Sequence, residues 1–213
     1  AALLIASPVQ AGCYGQNEGA GVTDHIYGAY GVRGRLDHRA ATPLAGATIV
    51  HPMQIIGADL FHFLGAGTMK GKGIADTSCS DNWTSSWRVY LDGHDYNDQY
   101  FCNNTWGSVA STAQDVRLTI QYMTSCNGAP RWGVYWDGDL LTCKSIAVTT
   151  GRGAVGGESV YTAQTQDLEV EYELMQYRTS AGTWSDWVPY QYCEDPPYSV
   201  VTISDTEHWI EIP

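Results

Sequence analysis

Hydrophobic and polar positions alternate along most of this chain with a period of two, the pattern of strands that bury one face. In the longest run Leu168, Val170, Tyr172 and Leu174 fall on one side and Glu169, Glu171 and Glu173 on the other. Val116, Leu118, Ile120 and Tyr122 repeat the pattern against Arg117, Thr119 and Gln121. Trp87, Val89 and Leu91 alternate with Arg88 and Tyr90 and run into Asp92-Gly93, which reads as a turn. Tyr30, Val32 and Leu36 anchor an opening strand, and residues 37–47 connect it to the next. Ala47 to Ile56 forms that strand, with an edge or a bulge at Pro52. Phe61 to Gly67 forms another, ended by the Lys-Gly turn at 70–73. Arg131 to Leu140 reads as a hairpin with Asp137-Gly138 at its tip, after a turn at Asn127-Gly128. Tyr198 to Ile203 and His208 to Ile212 close the chain, and residues 13–24 and 92–105 read as loops.

The pattern predicts roughly eleven or twelve short strands at sandwich spacing. No segment carries a helical stripe, and no composition shift or repeat marks a second domain. The expected fold is all-β: one antiparallel β-sandwich of jelly-roll or concanavalin-like type over residues 13–213. Residues 1–12 stand apart. Ala1 to Ala6 is apolar, and Val9-Gln10-Ala11 resembles a small-residue cleavage site. They read as the remnant of a signal peptide or, alternatively, as a segment that docks on a neighbouring subunit and supports a homo-oligomer.

Composition narrows the classes. The 213 residues carry a formal net charge of −12, with only 11 Lys and Arg, which excludes a basic surface for nucleic acid. No apolar run reaches the length of a membrane span. The six cysteines are widely spaced, with no C-x-x-C pair, so the fold is expected to be disulfide-stapled and the protein secreted. The six histidines show no H-x-H or H-x-x-x-H spacing that would suggest a transition-metal site.

The candidate chemistry lies in a few places. Asp92, Asp95, Asn97 and Asp98 crowd one loop with oxygens that would suit calcium. Otherwise they are turn formers, and no other cofactor is expected. Tyr96, Tyr100 and Trp106 are candidate surface aromatics for a carbohydrate or peptide ligand. Trp87 and Trp132 sit in alternating strands and are assigned to the core. Glu169, Glu171 and Glu173 form a solvated stripe that would also face a ligand or cation. Glu158 follows two glycines in its own short apolar run.

In order along residues 27–212, the segments YGVRGRL, FHFLGAGTMKG, WRVYLDG, RWGVYWDGDL and VGGESV leading into LEVEYELMQY resemble the eqolisin type of glutamic peptidase and its bacterial relatives. The resemblance implies a lectin-like sandwich of two antiparallel sheets. It also implies a glutamate and a glutamine on one sheet that activate a water for peptide cleavage. Glu158 stands where the glutamate would fall. The glutamine would lie in FHFLGAGTMKG, but that strand has none: His62 or Leu64 takes its place, and Gln54 lies one strand earlier. The first reading is therefore a secreted, non-catalytic binding or structural surface module. An acid-active glutamic endopeptidase using Glu158 is the alternative, and a subunit that self-assembles through its N-terminal segment is a third reading.

Overall fold

The computed structural model describes residues 18–39, 41–71, 84–95, 97, 99–103, 116–160 and 167–211. Residues 1–12 lie outside them. The described residues form fifteen strands and no helix. In chain order the first eight are β1 (Glu18–Asp24), β2 (Gly31–His38), β3 (Thr48–Ile56), β4 (Phe63–Gly71), β5 (Thr84–His94), β6 (Tyr100–Asn103), β7 (Val116–Cys126) and β8 (Ala129–Trp136). Then follow β9 (Asp139–Lys144), β10 (Arg152–Val160), β11 (Val170–Arg178), β12 (Trp184–Asp186), β13 (Pro189–Glu194), β14 (Ser199–Ser204) and β15 (Glu207–Glu211).

They pair into two antiparallel sheets packed face to face. One has seven strands in the order β13-β1-β10-β3-β4-β5-β6. The other runs β14-β15-β11-β2-β7-β8-β9, with β12 pairing on β11. Each sheet turns one parity of its side chains inward, as period-2 strands must. Ile49, Met53 and Ile55 of β3 meet Val32 and Leu36 of β2 and Leu118 and Ile120 of β7 in a single core. Trp87 and Trp132 are fully buried there, as expected from their strands. Asn127-Gly128 and Asp137-Gly138 take positive φ at both residues, which joins β7 to β8 and β8 to β9 by tight hairpins. A disulfide between Cys126 and Cys143 ties β7 to β9. Cys102 and Cys193 are disulfide-bonded as well.

Five details depart from the pattern. Residues 13–24 are not wholly loop, because β1 sits inside the seven-stranded sheet between β10 and β13. Its inward residues, Ala20 and Val22, are small, so the hydrophobic alternation there is faint. Residues 92–105 contain β6, and Asp92-Gly93 is not a turn: both residues pair with β4 on one side and β6 on the other. Pro52 is not at an edge either, since β3 has β10 and β4 as neighbours.

Around Pro52, which has no N–H, the β3–β10 ladder skips the pairs at Gly156 and Gly157. The buried Tyr172 hydroxyl fills the gap from the core side. Its proton is shared between the Gly156 carbonyl at 2.7 Å and the Pro52 carbonyl at 2.9 Å. Tyr172→Phe should therefore leave two buried carbonyls short of a donor and cost about 1–3 kcal/mol. Urea denaturation would show this as a lower midpoint at unchanged slope, and an unchanged midpoint would refute it.

The fifth departure is Leu174. It takes a φ of 53° at a bulge where the β11–β2 register shifts, and it is exposed, while Met175 turns inward in its place. The Met175 sulfur occupies the space that a Cβ on Gly34 would need, so a glycine on β2 admits the bulge.

Candidate functional site

The candidate site lies on the outer face of the seven-stranded sheet, the side away from the core. Parity fixes its members. With Ile49, Met53 and Ile55 inward, Val50, Pro52 and Gln54 of β3 point outward. Register carries that parity across the sheet. Glu158 pairs with Val50, Ala154 with Gln54, Gln54 with Gly65, and Gly65 with Asp92. One row therefore reads Ala154, Gln54, Gly65, Asp92. Glu158 sits with Val50 and Met69 in a second row further along the strands.

At the Glu158 end, Val50, Met69, Tyr90, Cys102 and Val160 form a second buried apolar cluster, separate from the main core. Glu158 is half-buried at its margin. Tyr90 lies between the two acids on this face. Burial, then the nearby Asp92 and Glu158 carboxylates, keep its phenol protonated far above its ordinary range.

The Asp92 carboxyl is the most perturbed acid of the face. It is buried, and desolvation pushes its pKa up to about 7, against a smaller lowering by the Tyr100 hydroxyl. Tyr100 donates to Asp92 Oδ2 at 3.2 Å, while Oδ1 has no hydrogen-bond partner. Oδ1 lies over Gly65: a Cβ built there would be 2.5 Å from it and 3.4 Å from Gln54 Nε2. Only glycine leaves room for a carboxyl from β5 and a carboxamide from β3 to lean over the intervening strand from either side.

The residues singled out in the sequence are scattered by the fold. Gln54 shares a face with Glu158 but not a position. Four residues of strand separate their rows, about 13 Å at the usual rise. His62 precedes β4, and its Nδ1 lies 2.6 Å from Asp59 Oδ2. Leu64 points into the core. Asp92 and Tyr100 are joined as described. Asp95 Oδ1 accepts the backbone N–H groups of Asn97 and Gln99 and closes a tight turn. Tyr96, Asp98 and Trp106 lie outside the described residues.

Glu169 faces Arg39 at 3.9 Å on the exposed surface, a contact of little energy. Glu171, Glu173 and Glu207 gather with carboxylate oxygens within 4.8 Å of one another. Burial and the negative charges of Glu173 and Glu207 raise the Glu171 pKa. This trio is on the outer face of the eight-stranded sheet, across the whole sandwich from Glu158.

No family model matches the sequence, and no curated protein does. Solved structures do match. Scytalido-glutamic peptidase with a peptide-based transition-state analog aligns with a TM-score of 0.54 at 8% identity, covering 92% of this chain and all of that one. The chain has the fold of the glutamic peptidases. SCP-B, an eqolisin-family peptidase in complex with the tripeptide Ala-Ile-His, aligns with a TM-score of 0.52 at 10% identity over 92% of this chain and 100% of its own. At these identities the likeness extends to the glutamic-peptidase sandwich itself and to the order of its strands.

Proposed function

We propose that this chain is an exported binding module on the glutamic-peptidase fold, which holds an extended peptide across the outer face of its seven-stranded sheet. The register carries the reading. The carboxamide of Gln54 is about 13 Å along the strands from the Glu158 row, so the two do not converge on one water. Cleavage needs a second group that holds the water and the developing oxyanion beside the glutamate, and Gln54 is not placed to be that group. The peptide ligands of the two structural neighbours support a peptide as the ligand here. The Cys126–Cys143 bond and the lack of a free cysteine among the described residues favour export to an oxidising compartment.

A second reading rests on Asp92. A carboxyl with a pKa near 7 beside a carboxamide is the pairing a hydrolase would use, with Asp92 as general base and Gln54 on the oxyanion. One experiment separates the readings. A denatured protein is incubated with the chain from acid to neutral pH, and new termini are counted alongside retention of its peptides. The module reading expects retention without new termini. Cleavage that vanishes in Glu158→Gln overturns it. Cleavage that survives Glu158→Gln but vanishes in Asp92→Asn and Gln54→Ala establishes the second reading instead.

A further inference from the structure

Two polar groups on the outer face of the seven-stranded sheet stand without partners. Asp92 Oδ1 is buried and accepts no hydrogen bond. Across Gly65 from it, the Gln54 carboxamide makes no hydrogen bond among the described residues. No positive charge balances the acid. Among the described residues Asp92 is in no ion pair, and what acts on its carboxyl is burial, the Tyr100 hydroxyl and its own backbone N–H. A desolvated carboxylate with no counter-ion is costly, which is why its pKa rises.

One row further along the strands the same face turns aromatic. Phe63 of β4, His94 of β5 and Tyr100 of β6 stand two residues from Gly65, Asp92 and Cys102, so they share the outward parity. The Phe63 ring meets His94 edge-on at 5.3 Å, and His94 meets Tyr100 at 5.6 Å. Phe61 reaches in from the turn before β4 and stacks on His94 at 4.4 Å. That turn is held in place. Asp59 Oδ1 accepts the backbone N–H groups of Phe61 and His62, and His94 Nδ1 donates to the Phe61 carbonyl at 3.1 Å. Phe61 and Tyr100 still remain 47% and 39% exposed, a large aromatic surface left in water.

Aromatic faces attract cations, and an acid beside them supplies the opposite charge. The two rows are about 7 Å apart at the usual strand rise, within reach of a lysine stem. A lysine fits this corner better than a neutral side chain, because it brings the missing counter-charge and lays its methylenes on the rings.

We infer that this corner is a lysine subsite of the peptide-binding face. The ammonium donates to Asp92 Oδ1, and the carboxamide oxygen of Gln54 is its second acceptor. Gln54 is half-buried, and a shift of its side chain opens Oδ1 to the surface. The methylenes lie against Phe61, His94 and Tyr100. The assignment rests on the proposed binding of a peptide to this sheet.

Calorimetric titration with Nα-acetyl-lysine methylamide and with its norleucine analogue, which keeps the stem and lacks the ammonium, tests it at pH 8, where the Asp92 carboxyl is ionised. Saturable binding of the lysine derivative in the millimolar range is expected, with the norleucine derivative weaker by about tenfold or more. Asp92→Asn should remove that preference. Phe61→Ala, at an exposed position, should weaken both derivatives several-fold. No saturable binding of the lysine derivative by the wild type, equal binding of the two derivatives, or an undiminished preference in Asp92→Asn overturns the inference. The peptide-retention experiment keeps the two proposals apart. Peptides retained while capped lysine is silent remove the subsite and leave the module, whereas capped lysine bound with no peptide retained removes the module and leaves an ammonium site.

Discussion

Asp92→Asn is expected to be more favourable at pH 8 than at pH 3.5, by on the order of 4 kcal/mol in unfolding free energy. The folded carboxyl titrates at about 7 and the unfolded one at 3.8, so between those values the folded state binds the extra proton. The stability contributed by the protonated acid is complete below 3.8 and is lost as pH rises through about 7. Asparagine keeps the shape and cannot ionise, so the variant should hold its stability where the wild type loses it. Urea denaturation across this range is the check. A constant difference between variant and wild type would mean that water reaches Asp92 and that its carboxyl titrates normally. The same series bears on function, because a hydrolase that uses the Asp92 carboxylate needs it ionised, which costs the fold stability.

On the acid side, His51→Leu is expected to flatten the decline of stability below pH 6.5. His51 is fully buried between the sheets in a stack with Trp87, whose ring centroid is 4.8 Å away, and His38 lies 4.4 Å from the same ring. Burial, then the proximity of His38, holds the His51 pKa well below 6.5, against a smaller opposing contribution from the Leu168 backbone. The unfolded state therefore binds the extra proton below 6.5. Stability present above that pH is lost as pH falls, at about 1.4 kcal/mol per pH unit for each imidazole kept neutral. His208, also buried and lowered by desolvation, contributes a second such slope. Asp92 pulls the other way over part of this range, so the informative quantity is the slope of the variant against that of the wild type. The leucine also strands the Thr68 hydroxyl, 3.4 Å from His51 Nδ1, which lowers stability at every pH without changing that slope. Parallel slopes for His51→Leu and wild type would show that the imidazole titrates freely in the fold.

The same histidines show where sequence reasoning stops. No spacing links His38, His51 and Trp87, which come from β2, β3 and β5 and meet only because two sheets close over one core. Asp92 is half legible. The alternation of Trp87, Val89 and Leu91 places it on the same side as Tyr90, but Asp92-Gly93 is also a strong turn signal, and only the partner strands on both sides decide between the two. Its place in one row with Gln54, across Gly65, has no trace in the linear order. Neither has the opposition of Arg35 and Arg117, which depends on one particular register of β2 against β7. Leu174 shows the reverse case, a perfect alternation broken by a bulge that places Met175 over Gly34.

By itself the sequence determined the all-β class, the inward parity of most strands, the two Asx-Gly hairpins, the burial of Trp87 and Trp132 and the resemblance to the glutamic-peptidase sandwich. These follow from local rules, since side-chain alternation and turn conformation are set by a few neighbouring residues. Tertiary structure alone decided that Glu158 and Gln54 share a face but not a site, that Asp92 takes the carboxamide as its neighbour, and that the acidic stripe of β11 lies on the opposite surface from Glu158. The reason is register: a slip of one residue would send every side chain of a strand to the other face, and what fixes it is the packing of strands far apart in sequence.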